Sequence, residues 1–223
     1  MNSTNIMVID VGGSRVKALL SGEGTPVRAE SGPLMTAAQM VEAVKAMSSH
    51  WHYGGVTIGY PGVVKHNQIT HDPVNLGPNW IGYDFEAAFG CPVKLINDAA
   101  MQALGEYEGG RMLFLGLGTG LGTAMIVDGV VAPMELGHLP YQRGRTFEQY
   151  VGSAGLEREG KKQWRIYVAD VVARLYNALE PDYILLGGGN TKYLKEIPPY
   201  ARIGPNSNAF KGGFRLWETF FQG

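Results

Sequence analysis

The sequence predicts an α/β fold, on three observations. Short apolar runs alternate with segments of helical period, as strands do when they are interleaved with helices. Glycine accounts for 32 of 223 residues, about twice its usual ~7%, and it clusters where the apolar runs end. The two halves of the chain also open alike, each with a strand, a glycine-rich hairpin and a returning strand. Charged residues are 17% and hydrophobic ones 45%, too apolar for disorder. The glycines follow no three-residue period, which excludes collagen.

The elements follow in order. Ile6–Ile9 is a short apolar run and reads as a buried strand. Asp10–Ser14 reads as a turn, and Val16–Leu20 as the strand that returns from it. Thr36 and Gln39 have the spacing of a capping box, with Met40, Val41, Val44 and Met47 at helical spacing behind it. Gly55–Gly59 reads as the next strand, followed by an Asn-, Pro- and Gly-rich loop from about Asn67 to Gly82. Val93–Ile96 is a further strand, and Asn97-Asp98 opens an alanine-rich helix that runs to about Tyr107. Arg111–Leu117 and Thr123–Val127 read as strands joined by Gly118–Gly122. Trp164, Tyr167, Val168, Val171, Val172, Leu175 and Leu179 share the apolar face of a long helix, which Glu180-Pro181 stops. Tyr183–Leu186 is a strand that ends in Gly187-Gly188-Gly189. After Thr191 the chain turns polar and Pro-rich, and Phe210–Phe221 is aromatic enough to dock on something.

Composition narrows the function classes. A formal net charge of −1 argues against general binding to nucleic acid or anionic membranes. The lone cysteine, Cys91, can form neither an internal disulfide nor a cysteine-rich zinc site. No apolar run approaches the ~20 residues of a membrane helix. The opening Met1–Asn5 lacks the basic and apolar regions of a signal peptide. A cytoplasmic protein is therefore expected.

Six short motifs carry candidate chemistry. In Asp10-Val11-Gly12-Gly13-Ser14-Arg15-Val16-Lys17, paired glycines let backbone N–H groups turn toward a phosphate. Asp10 offers a carboxylate to Mg²⁺, Ser14 a donor and Lys17 a point charge; an ordinary Gly-Gly hairpin reads equally well. Gly116–Thr123 alternates four glycines between strands, better explained by a phosphate nest than by a bulge. Asp98, at a strand-to-helix junction, is either an N-cap or a general base toward a hydroxyl. Glu135 and His138, three apart around Gly137, read as a polar turn, a sugar clamp or half a metal site. Gly187–Gly189 after a buried strand suggests either close ligand approach or a flexible turn. Arg158, Lys161, Lys162 and Arg165 form a basic face, solvated or turned toward a polyanion.

Taken together, Asp10-x-Gly12-Gly13-Ser14-x-x-Lys17, Gly59-x-Pro61-Gly62, Asn97-Asp98-Ala99, Gly116-x-Gly118-Thr119-Gly120-x-Gly122-Thr123, Glu135-x-Gly137-His138 and Leu186–Gly189 resemble the ROK sugar kinases. Within that family they resemble the polyphosphate glucokinase branch. The resemblance implies an actin-like, ribonuclease-H-like fold of two lobes with a cleft between them. The lobes are expected at 1–97, joined by 212–223, and at 98–211. It implies phosphoryl transfer to the 6-hydroxyl of glucose from inorganic polyphosphate, or also from ATP, with Mg²⁺. Asp98 would be the general base. Gly59, Pro61, Gly62, Asn75, Asn97, Glu135 and His138 would bind sugar. Asp10, Gly12, Gly13, Ser14, Lys17, Gly118, Thr119, Gly120, Gly187, Gly188 and Gly189 would hold the donor, with Mg²⁺ near Asp10, directly or through water. A homodimer without nucleic-acid or membrane partners is expected.

The chain departs from the wider family in one place. Where those kinases usually carry Cys-x-Cys-Gly-x-x-Gly-Cys, this chain reads Leu139-Pro140-Tyr141-Gln142-Arg143-Gly144-Arg145, so no zinc site is expected. The chain is also short for the family, which suggests a trimmed nucleotide-binding region. With the phosphate loop starting by Asp10, no room is expected for a repressor's helix-turn-helix. The rival readings are an ATP-dependent hexokinase for another sugar and a catalytically silent sugar-binding sensor.

Overall fold

The computed structural model describes residues 5–204 and 209–218. Of these, 5–101 with 209–218 form one compact unit and 102–204 a second. Residues 219–223 of the expected returning segment lie outside the described residues.

In the first unit, β1 (Ile6–Val11) is buried along its length except at Asp10, which is half-buried. An apolar run of this kind is what a strand covered on both faces requires. In β2 (Arg15–Leu20), exposed Arg15 and Lys17 alternate with buried Val16 and Ala18, the period of a strand. β3 (Val27–Glu30) is a short edge strand. α1 (Ala37–Met47) starts at the expected capping box: Thr36 Oγ1 accepts the Gln39 N–H at 3.3 Å, and Gln39 Oε1 accepts the Thr36 N–H at 2.9 Å. Its Met40, Val41 and Val44 are buried.

β4 (Gly55–Tyr60) is buried throughout. The stretch expected to be loop opens inside a small hairpin, β5 (Val64–Lys65) with β6 (Gln68–Ile69), whose turn puts His66 and Asn67 at positive φ. α2 (Phe85–Phe89), β7 (Val93–Asn97) and the start of α3 (Asp98–Glu106) complete this part of the chain. The sheet order is β3-β2-β1-β4-β7, with β1, β4 and β7 parallel. Met40, Val44, Ile58, Tyr60 and Trp80 pack its core. Each large side chain buried there contributes about 1.5–3 kcal/mol.

The second unit repeats the plan. β8 (Arg111–Leu117) and β9 (Leu121–Val127) form an antiparallel hairpin, and β10 (Val130–Met134) adds at the edge. α4 (Phe147–Val151) precedes α5 (Ser153–Leu179), which is broken at Gly160 (φ 71°). β11 (Tyr183–Gly187) and β12 (Ala201–Ile203) follow. The order is β10-β9-β8-β11-β12, with β8, β11 and β12 parallel. This is the first sheet's order and sense of pairing again. Trp164, Val168, Val171, Val172 and Leu175 of α5 close the core against Leu113, Leu115, Ile184 and Leu186. The expected helical face is therefore present, and the helix begins earlier than its apolar period suggested.

α6 (Ala209–Arg215) returns to the first unit. Thr57 Oγ1 donates to the Gly213 carbonyl at 2.9 Å and accepts from Trp217 Nε1 at 2.8 Å. Lys94 Nζ lies 4.8 Å from the Trp217 ring centroid. Gly213 and Trp217 thus dock on β4 and β7. No helix of the described residues is long and apolar enough to cross a membrane.

Candidate functional site

In the first unit, strand register lines up the candidate residues along the C-terminal edge of the parallel strands. Asp10 on β1 pairs with Gly59 on β4, and Gly59 pairs with Ile96 on β7. Two strand spacings, roughly 10 Å, separate Asp10 from that rung's far end, with Asn97 and Asp98 one step beyond. Ligands of open α/β sheets bind at such C-terminal strand ends.

Asp10 and Lys17 are register partners across the β1–β2 hairpin, and Lys17 Nζ donates to Asp10 Oδ2 at 3.2 Å. The turn between them is tied down by Ser31. Its Oγ donates to the Gly12 carbonyl at 2.6 Å, and its N–H donates to the Ser14 carbonyl at 3.1 Å. Ser14 is exposed at the tip. Gly13 faces Asn75, whose Cβ lies 3.1 Å from where a Cβ on Gly13 would stand. Asn75 thus adjoins the turn expected to hold phosphate. A lone carboxylate at a strand end fits the way Mg²⁺ is usually held, by one or two acids together with substrate phosphates.

At the β7–α3 junction the two polar side chains take different places. Asn97 caps the helix: its Oδ1 accepts the Ala100 N–H at 3.1 Å, and its Nδ2 donates to the Gly62 carbonyl at 3.0 Å. Asp98 occupies the first helical position, with Oδ1 accepting the Ala99 N–H at 2.7 Å. Asn97 thereby ties the Gly59–Gly62 segment to the acidic residue's helix. Gly59 also has a packing reason, since a Cβ there would meet the end of the Met101 side chain.

The second unit gathers a second group. The Gly118 carbonyl, at the β8–β9 turn, accepts from Ser153 N–H at 3.0 Å, Ser153 Oγ at 3.0 Å and Asn190 Nδ2 at 2.9 Å. Gly188 completes the junction at φ 86°, where an added Cβ would press on the Leu117 carbonyl oxygen. Gly116 and Gly187 are partners on adjacent strands, and the Phe114 ring packs on both. Their lack of side chains therefore serves the core as well. Thr123, expected in the phosphate nest, is buried; its Oγ1 donates to the Met134 carbonyl at 2.7 Å and accepts the Leu136 N–H at 3.1 Å. It fastens the segment that carries Glu135 and His138.

His138 lies between two acids. Its Nδ1 is 3.8 Å from Glu135 Oε2 and its Nε2 3.7 Å from Glu148 Oε1, too long for hydrogen bonds. Glu148 also reaches the hairpin tip, 2.6 Å from where a Cβ on Gly120 would stand. Among the described residues no group of three His, Cys, Asp or Glu side chains could hold a metal ion.

The cysteine-free segment after His138 has its own anchor. Pro140 bridges Thr146, and Tyr141 N–H donates to the Arg145 carbonyl at 2.8 Å. The Tyr141 ring packs on Phe147, Tyr150 and Tyr167, and its hydroxyl donates to Asp170 Oδ2 at 2.6 Å. Burial and the Asp170 hydrogen bond push the Tyr141 phenol well above its ordinary range. Burial pulls Asp170 upward, but hydrogen bonds from Tyr141 and Arg174 outweigh it and hold that carboxyl below its usual range.

Sequence reasoning missed Ser31, Glu148 and Ser153, and gave Asn190 no duty. Asn190 had a signal, standing directly after the triple glycine. Ser153 follows Gly152, whose added Cβ would strike the Thr119 carbonyl; nothing local marks the other two.

Known proteins resemble this chain in sequence and in fold. The family model described as ROK family matches residues 6–158. A polyphosphate glucokinase of Mycobacterium tuberculosis is 31% identical over 202 residues, covering 82% of this chain and 72% of that one. An inorganic polyphosphate/ATP-glucomannokinase of Arthrobacter is similar in structure, with TM-score 0.78, 26% identity and coverage of 95% of this chain and 97% of that one. A ROK hexokinase of Thermus thermophilus shares the fold at TM-score 0.72 and 21% identity, over 94% of this chain and 96% of that one.

Proposed function

Since the chain belongs to the ROK family, we propose that it is a sugar kinase. It moves the terminal phosphoryl group of inorganic polyphosphate to the 6-hydroxyl of glucose. The observation that carries this reading is the Asn97–Asp98 junction. Asn97 takes the N-cap position by accepting the Ala100 N–H, and the adjacent Asp98 carboxylate stands at the first helical position. It stands at the sheet edge where α/β folds take their ligands.

Each unit carries named groups of its own. In the first, Asp98 accepts the proton of the 6-hydroxyl as that oxygen attacks phosphorus, and the bond to the rest of the donor breaks. Asn97, the Gly59–Gly62 segment and Asn75 orient the sugar. Asp10 would hold Mg²⁺, which neutralises charge on the transferring group; Lys17 adds a point charge beside it. In the second, the backbone of Gly118–Gly120 and the Gly188 junction receive donor phosphate, and Glu135, His138 and Glu148 offer acceptors and a donor to sugar hydroxyls. Most of the rate enhancement is positioning and electrostatic stabilisation.

The likeness to a polyphosphate/ATP-glucomannokinase favours a second reading of donor and sugar: ATP as an alternative donor and mannose as an alternative acceptor. The test is coupled phosphorylation of a sugar panel with polyphosphate and with ATP. Asp98→Asn should keep the fold and lower kcat by about 10²–10⁴-fold. Near-normal turnover in that variant would remove Asp98 from the mechanism. Sugar binding without product from either donor would replace the kinase by a sensor.

A further inference from the structure

We propose that Lys161, Arg165 and Lys192, gathered around Tyr193, form a strip that binds the tail of a linear polyphosphate whose reacting end lies at the Gly118–Gly120 turn. This inference rests on the donor reading above and names where the rest of that donor runs.

The helix break at Gly160 sets Lys161 at the start of the long second part of α5. Lys161 Nζ lies 4.6 Å from the Tyr193 ring centroid, and Lys192 Nζ lies 5.0 Å from the same point. Arg165 Nε donates to the Tyr193 carbonyl at 2.6 Å and so fixes the residue that both lysines use. Tyr193 ends the short 3-10 helix Gly189–Tyr193, which begins at the Gly188 junction. Asn190, in that same helix, holds the Gly118 carbonyl. At ~2 Å rise per residue, Tyr193 stands roughly 6 Å further along the axis than Asn190. The strip is therefore continuous with the turn that receives donor phosphate.

Its charge is uncompensated. Arg158 pairs with Glu159, Arg174 with Asp170 and Arg202 with Glu108. Among the described residues no carboxylate pairs with Lys161, Arg165 or Lys192. The two ammonium groups share one ring and so lie within about one Debye length, ~10 Å at 0.1 M salt. An anion lying along them relieves that repulsion. The basic face expected from helical spacing is thus redrawn. Arg158 leaves it, bonded to Glu159 and to the Gln149 carbonyl, and Lys192 joins from another element.

The chemistry favours an inorganic chain. Lysines act as point charges without directional preference, which suits a repeating anion. With two ammonium groups already on its ring, Tyr193 is a poor stacking platform for a nucleobase. A nucleic acid is therefore the disfavoured ligand.

The test uses the double variant Lys161→Gln with Lys192→Gln in the full chain, leaving Arg165 to hold Tyr193. Both lysines are exposed, and an unchanged circular dichroism spectrum checks the fold. Binding of labelled long-chain polyphosphate and of tripolyphosphate is followed by fluorescence anisotropy between 50 and 200 mM salt (about the range over which phosphate contacts are read). Kinetics with both chain lengths run in parallel. The variant should bind the long chain about tenfold more weakly, with a salt slope shallower by about 0.7–0.9 per lysine, and lose less than about twofold toward tripolyphosphate. Equal loss for both lengths, no loss for either, or competition by an oligonucleotide as strong as that by long polyphosphate overturns the strip. If the native chain binds long polyphosphate through these lysines yet forms no sugar phosphate from it, the strip stands and the donor reading falls. If it turns polyphosphate over and the variant keeps the native chain-length dependence, the donor reading stands and the strip falls.

Discussion

The turn between β1 and β2 carries its charge with it. Asp10 and Lys17 face each other across the hairpin, and Ser31 ties the turn down beside its own Gly12-to-Arg15 backbone hydrogen bond. The turn between β8 and β9 has no charged side chain of its own. Its Gly118 carbonyl is held by neutral donors from Ser153 and Asn190, and its backbone is clamped beside Gly188. The same strand plan, repeated in the two units, thus carries two kinds of glycine-rich turn. One works through ionic groups that salt can screen; the other works through fixed backbone dipoles whose placement depends on packing. Substitutions should separate them, because ionic groups report in salt dependence and packed backbone reports in stability.

The largest expected effect is at Gly188. Alanine there combines a positive φ, costing about 1–2 kcal/mol, with a Cβ that would press on the Leu117 carbonyl oxygen. The whole β8–β11 junction must shift. Gly188→Ala should lose at least about 2–3 kcal/mol of stability and most activity. Thermal unfolding and turnover measured together check this. A stable, active variant would show that the second turn does not depend on its clamp.

The two hairpins also show what the sequence makes legible. Both were visible because glycine clusters interrupt apolar runs, a local signal. The capping box at Thr36 and Gln39 was visible for the same reason. The edge strands β3, β10 and β12 were not visible. They are short and largely exposed, so they lack the buried alternation that marks a strand. At the site, Asp10, Asn97 and Asp98 lie at strand ends that the pattern predicts. Glu148, Ser153 and Asn190 acquire their duties through contacts spanning tens of residues, Asn190 to Gly118 among them. No local window contains such a pairing. The glycines at 116 and 187 show the converse: their sequence pattern suggests ligand approach, and the packing of Phe114 supplies a second cause.

A matched pair of milder variants sharpens the contrast. Lys17→Gln removes an exposed ion pair worth about 0–1 kcal/mol, so unfolding should barely move. Under the proposed function its donor KM should rise about tenfold, and that KM should become less sensitive to ionic strength. Asn190→Ala removes one of the donors on the Gly118 carbonyl, costing about 0.5–1.5 kcal/mol. It should keep the native salt dependence while lowering stability more than Lys17→Gln does. If both variants change salt dependence alike, the two turns do not work by different chemistry.

The smallest effect tests the anchor of the Glu135–His138 segment. Tyr141 fixes the cysteine-free stretch through its ring contacts and its hydrogen bond to Asp170. Tyr141→Phe keeps the ring and removes the bond. A hydrogen bond to a charged group contributes about 1.5–3 kcal/mol when sheltered, and exposure of this carboxylate reduces that to under about 1 kcal/mol. The pH dependence has a definite sign. Asp170 is held below its ordinary value of 3.8, so its contribution is present above that pH and disappears as the pH falls through the lower folded value. The difference in unfolding free energy between native and Tyr141→Phe proteins should therefore be constant near neutrality and shrink below about pH 4. A difference that persists unchanged in acid would mean that the ring contacts, not the Asp170 bond, anchor the segment. The second unit would then rely on apolar packing for this segment too, and Asp10 with Lys17 would remain the contrasting case in which charge holds the site.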